Sequence, residues 1–133
     1  MRKDDKKEEI MKYLKELESI LPTDIKEYKN SIKQRAYCER YFERIIEAVV
    51  DLVFIIIKEE ELSIPDDDES SFHVLKDAGL ISEEICGKLG AAKGMRNIIA
   101  HEYGEIDDEK VFHAVTEELI PDVNKFLEEI NER

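Results

Sequence analysis

Ile10, Tyr13, Leu14, Leu17, Ile20 and Leu21 recur at intervals of three and four, which puts their apolar side chains on one face of an α-helix. Pro22 ends that stretch, because proline lacks the N–H needed to continue it. Thr23 or Asp24 can cap the next helix. The second pattern is long: Tyr37, Tyr41, Phe42, Ile45, Ile46, Val49, Leu52, Val53 and Ile56 predict a helix over 24–61. No Gly or Pro interrupts it, so it is either unbroken or kinked near Lys29–Ser31. From Val49 to Ile57 the run is apolar almost all round, which predicts cover on more than one side. A neighbouring helix supplies one side, and a second subunit is the candidate for the other.

Leu62 to Asp68 is a loop by composition. A short helix over 69–78 follows, with Gly79 as its natural C-terminal stop. Ser82, followed by Glu83 and Glu84, marks the start of another helix running to about Ala100. Gly104 breaks the chain, and Asp107 caps a last helix that turns Val111, Val115, Leu119, Val123, Phe126 and Ile130 inward. Pro121 should kink that helix or split it in two. No stretch alternates with period two. The pattern predicts an all-α fold: an antiparallel bundle of about four to five helices, in a single domain over 1–133.

Composition agrees: 42% hydrophobic residues suffice for one core, and 40% charged residues suit exposed helix faces. Cys38 and Cys86 are far apart and form no CxxC pair, which argues against a disulfide framework and for a reducing compartment. The N-terminus has no apolar h-region, and Leu52–Ile57, the longest apolar stretch, is too short to span a bilayer. A cytoplasmic location with no membrane partner is expected. The net charge of −13 opposes nucleic acid at long range. It is unevenly spread. Lys29–Arg44 holds five basic and two acidic residues, and Lys88–His101 three basic and none acidic. These two stretches could form a local positive site on an acidic body.

The segment from Gly87 to Gly104 carries the candidate chemistry. Gly87, Gly90, Ala91 and Gly94 put small residues on one helix face, the pattern of close helix packing. Arg96 and His101 follow at i, i+5, about 140° apart on a continuous helix. They can converge if the helix frays near Ala100, or if the Arg of one subunit serves the His of another. Asn97 adds an amide and Tyr103 a hydroxyl. A guanidinium grips phosphate in a planar fork, and an imidazole moves protons near neutrality. RNA brings its own nucleophile, the 2′-OH. A base that takes its proton starts attack on phosphorus, and a fixed cation stabilises the transition state. That scheme needs no metal or cofactor and leaves a 2′,3′-cyclic phosphate.

Arg96-Asn97-Ile98-Ile99-Ala100-His101-Glu102-Tyr103 resembles the Arg-x4-His-x-Tyr signature of HepT-like toxins of the HEPN superfamily. Ala36–Arg40 through Ala48–Leu52 resembles that family's Glu-Arg … Asp segment, and Phe72–Ile81 its Phe-x-x-Leu … Ala-Gly-Ile-Ile segment. The resemblance implies a HEPN-like homodimer with two Arg–His sets facing each other across a cleft. It also implies metal-independent ribonuclease activity on an RNA substrate and a minimal nucleotidyltransferase antitoxin as partner. Tyr103 matches the tyrosine that accepts AMP in that family. An AMP there would add bulk and negative charge beside Arg96 and His101.

Asp51 lies inside the apolar run, where a buried carboxylate needs a partner; Arg40, Arg44 and Arg96 are the candidates. It would then orient Arg96, while Arg40 would touch phosphate or solvent. His73 and His113 follow a Glu at i−4 rather than in the Glu-x-x-His spacing of a di-iron bundle, so no metal site is expected. The expected function is an endoribonuclease toxin with Arg96 and His101 catalytic, Asn97, Asp51 and Arg40 supporting, and Tyr103 as the modification site. The alternative is a non-catalytic helical binding module that partners a nucleotidyltransferase.

Overall fold

A computed structural model describes residues 2–101 and 106–131. Among them every regular element is helical. Helix α1 (Arg2–Ile20) starts eight residues ahead of its apolar pattern. Its polar first turns are tied to the long central helix α3 (Ile32–Glu59) by ion pairs, Lys3 to Glu59 at 3.8 Å and Lys6 to Asp51 at 3.4 Å. Further along, the Tyr41 hydroxyl lies 3.0 Å from Glu16, and the Gln34 amide donates to the Ile20 carbonyl at 2.7 Å. Contacts that run 3 to 59, 6 to 51, 16 to 41 and 20 to 34 make α1 and α3 antiparallel.

The helix expected over 24–61 is two helices. Asp24 caps α2 (Ile25–Asn30), accepting from the Glu27 N–H. Ser31 then leaves helical geometry at φ −119° and ψ 106°, and its hydroxyl accepts from the Gln34 N–H at 3.1 Å, capping α3. A serine side chain that replaces a backbone acceptor lets the chain turn without Gly or Pro. Asp67 caps α4 (Asp68–Asp77). The α4 end closes as the sequence predicts: Gly79 sits at φ 76°, its N–H bonds Lys76 O, and the Leu80 N–H bonds Leu75 O.

Ser82 caps α5 (Glu83–His101), accepting from the Ile85 N–H. Asp107 caps α6 (Asp108–His113) through the Glu109 and Lys110 N–H groups. A five-residue π turn (Ala114–Glu118) joins α6 to α7 (Leu119–Asn131). Pro121 lies in the first turn of α7. It cannot donate to Glu117, and the widened turn just before it absorbs the mismatch. The last helix is therefore interrupted by the π turn just ahead of Pro121 and continues through the proline itself.

Helix α3 is the axis of the core. It packs against α1, α2, α4 and α5, and α5 packs also on α4 and α7. Phe42, Ile45, Val49, Leu52 and Val53 of α3 meet Leu14 and Leu17, Phe72 and Leu75, Leu89, and Val123 and Phe126 in one apolar cluster. Lys93 to Asp68 and Cys86 to His73 make α4 and α5 antiparallel, and Lys88 to Asp122 with Ser82 to Glu129 does the same for α5 and α7. Both cysteines are buried and free. No helix among the described residues is long and apolar enough to cross a membrane.

Candidate active site

One face of α3 stays open. Glu47, Asp51, Phe54 and Lys58 succeed each other at three- and four-residue steps and, with Val50, form the floor of a groove of about 1020 Å³. The start of α1, the 61–65 loop, Asp68, and Lys93 and Arg96 of α5 complete it. The apolar run that needed cover on two sides is mostly buried by the chain's own helices, while Phe54 and Ile55 stay half-buried in the groove.

Arg96 lies on the groove side of α5, with its side chain 20% exposed. Its Nη2 donates to Glu47 Oε1 at 2.6 Å, and its buried Nε–H has no acceptor among the described residues. Helix α5 continues through His101, so the helix does not fray at Ala100. His101 is exposed at the helix end and is not among the residues lining the groove. Within one subunit, the two side chains therefore keep the angular separation of a regular helix. Tyr103 lies outside the described residues.

Asn97 is exposed and accepts from Lys93 Nζ at 2.8 Å. Arg40 is exposed on α3 and is not among the groove residues. Asp51 corrects the sequence reading. Its carboxylate is 61% exposed at the groove mouth and pairs with Lys6, not with Arg40, Arg44 or Arg96. The apolar residues on either side of it in sequence turn inward on the other faces of α3, and Asp51 turns out. Arg44 instead stands 5.9 Å over the Tyr13 ring.

Five cations of the two basic stretches have acidic partners. Lys29 pairs with Glu109, Arg35 with Asp108, Lys88 with Asp122, Lys93 with Asp68, and Arg96 with Glu47. Acids from other helices balance each of these cations. The groove still differs from the rest of the surface: five basic and four acidic side chains line it in a chain of net charge −13.

The small-residue face of α5 is also corrected. A Cβ at Gly87 or Gly94 would meet nothing within 4 Å, and at Gly90 only Glu69 Oε1 at 4.0 Å. No helix among the described residues uses those glycines for close approach. Sequence reasoning missed Glu47 and Lys93. Lys93 had a signal, since it precedes Arg96 by three residues on one helix face. Glu47 had none, because its partner is on another helix. His73 and His113 are exposed, and the described residues hold no group of three or more His, Cys, Asp or Glu placed for a metal ion.

The HepT-like ribonuclease family matches residues 10–130. The chain belongs to this family. It is 32% identical over 88 residues to an mRNA nuclease HepT of Shewanella oneidensis, covering 66% of this chain and 65% of that protein's length. A tRNA nuclease HepT of Aphanizomenon flos-aquae is 25% identical over 107 residues, 80% of this chain and 73% of that protein. The fold matches the tri-AMPylated Shewanella oneidensis HEPN toxin solved in complex with MNT antitoxin. That match has a TM-score of 0.90 and 24% identity, and covers 98% of this chain and 97% of that one. The HEPN-like, all-helical fold is thus shared with a toxin that the solved structure pairs with an antitoxin.

Proposed function

We propose that this HepT-like chain is a metal-independent endoribonuclease, the toxin of a toxin–antitoxin pair. It works as a homodimer in the cytoplasm and is silenced by adenylylation of Tyr103 by a minimal nucleotidyltransferase. The carrying observation is the placement of Arg96: a guanidinium on the side of an open groove, with a donor that no described residue accepts, five residues before an imidazole on the same helix. Because α5 stays helical through His101, one subunit does not turn both groups into its own groove. A two-fold partner seated on the open α3 face brings a second Arg96 and a second His101 to the same cleft.

In that cleft the His101 imidazole removes the 2′-OH proton. The 2′-oxygen bonds phosphorus, and Arg96 holds the non-bridging oxygens as charge builds on them. The 5′-oxygen leaves and takes up a proton, giving a 2′,3′-cyclic phosphate and a 5′-OH. The nuclease relatives and the AMP-bearing, antitoxin-bound neighbour support the reading. RNA digested by the unmodified protein in EDTA should carry 2′,3′-cyclic phosphate ends. Ends of another kind, or dependence on added divalent cation, would count against it.

The non-catalytic alternative has one observation in its favour: in a single subunit Arg96 is occupied by Glu47 and His101 stands outside the groove. Purified dimer that retains a nucleotidyltransferase but cuts no RNA would support that alternative.

A further inference from the structure

We infer that Glu47 is an internal stand-in for RNA phosphate, holding the Arg96 fork until substrate displaces it. The inference rests on the ribonuclease reading for the identity of the ligand, but not on cleavage. Nε–H and Nη2 lie on the same edge of the planar guanidinium, the edge that takes two oxygens of a carboxylate or phosphate at once. Glu47 uses only half of it. Its Oε1 accepts from Nη2 at 2.6 Å, while the Nε–H of the same edge is buried with no acceptor among the described residues. A buried donor left unsatisfied is costly, so a ligand that fills both positions has an advantage over the carboxylate already there.

Glu47 is also free to leave. Its side chain is 47% exposed against 20% for Arg96, so the carboxylate can return to water while the cation stays on the groove wall. The exchange swaps one anion for another. Unless Glu47 withdraws, a phosphodiester entering the groove meets a carboxylate beside the cation it needs. Lys93, one turn before Arg96, is held in the same manner by Asp68 at 3.4 Å. Arg96 and Lys93 are thus masked in the free protein, and Glu47 sets the affinity for the RNA backbone by competition.

The test is binding of a 2′-O-methylated single-stranded RNA, which lacks the attacking hydroxyl and stays intact whatever the protein does. Glu47→Gln keeps the shape and removes the charge, and Glu47→Ala removes the acceptor as well. Both should tighten binding roughly fivefold, the size of one partly exposed charge contact. Glu109→Gln removes the same charge from the remote pair with Lys29 and should leave affinity unchanged. The gain from Glu47→Gln should vanish in an Arg96→Ala background. Equal affinity of wild type and both Glu47 variants, including no measurable binding by any of them, overturns the inference. So does a gain of the same size from Glu109→Gln. Failure to cleave ordinary RNA would remove the nuclease reading and leave this one standing.

Discussion

Cys38 and Tyr28 are fully buried at the junction of α2 and α3, and burial sets their proton affinity. It pushes the Cys38 thiol from 9.0 up to about 11 and the Tyr28 hydroxyl above its usual 10.0. Both shifts favour the protonated, neutral form in the folded state, so the folded chain binds more protons than the unfolded chain above pH 9. The stability they protect is intact below pH 9 and falls as pH rises toward 11. Urea midpoints should be lower at pH 10.5 than at pH 8, and Cys38→Ala should reduce the drop. A midpoint that does not move would contradict this burial. At this scale the sequence yields types and spacing but not partners. Arg96, Asn97 and His101 stand out because they share a helix. Glu47 could not be found, and none of the three candidate partners of Asp51 (Arg40, Arg44 and Arg96) is the one it meets, because the cation each carboxylate meets depends on how α1 and α5 lie against α3.

Helix ends were the most legible elements. Asp24, Gly79, Ser82 and Asp107 act where local chemistry places them, because a cap needs only its own next few N–H groups. Ser31 and Pro121 were harder. The break falls where the kinked alternative near Lys29–Ser31 puts it, and Gln34 three residues after Ser31 is the capping-box spacing, yet an otherwise continuous helical pattern outweighs both; a proline can be absorbed by a π turn as well as by a break. The glycines of α5 mark the limit of pattern reading. Small residues suggest close approach, yet among the described residues nothing comes within 4 Å of a Cβ placed at Gly87 or Gly94. Alanine at either position should therefore raise unfolding free energy by about 0.5–1 kcal/mol, the helix-propensity gain with no clash to offset it. Urea denaturation checks this, and destabilisation by either change would show that a second chain packs on that face.

The whole molecule is a helical bundle with one open side, where Phe54 and Ile55 are half-buried on the α3 wall of the groove. All-α architecture was readable from periodicity, since each apolar set has a helical spacing and none alternates. The open side was readable only as an excess of apolar residues from Val49 to Ile57. A second subunit seated there predicts that Phe54→Glu yields monomers in sedimentation and abolishes RNA cleavage, by setting a buried charge at the contact. A Phe54→Glu protein that stays dimeric would place the subunit contact elsewhere. The net charge of −13 bears on this scale too. It slows encounter with RNA, so cleavage should be fastest at moderate salt, where the acidic body is screened and local groove contacts persist. If Arg96 and His101 perform the proposed chemistry, the rate of RNA cleavage in EDTA by wild type, Arg96→Ala and His101→Ala protein shows it. Each variant should fold and dimerise normally yet cleave roughly 10² to 10⁴ times more slowly, as for loss of a transition-state cation or a proton-transfer group; cleavage by both variants at the wild-type rate would contradict the account.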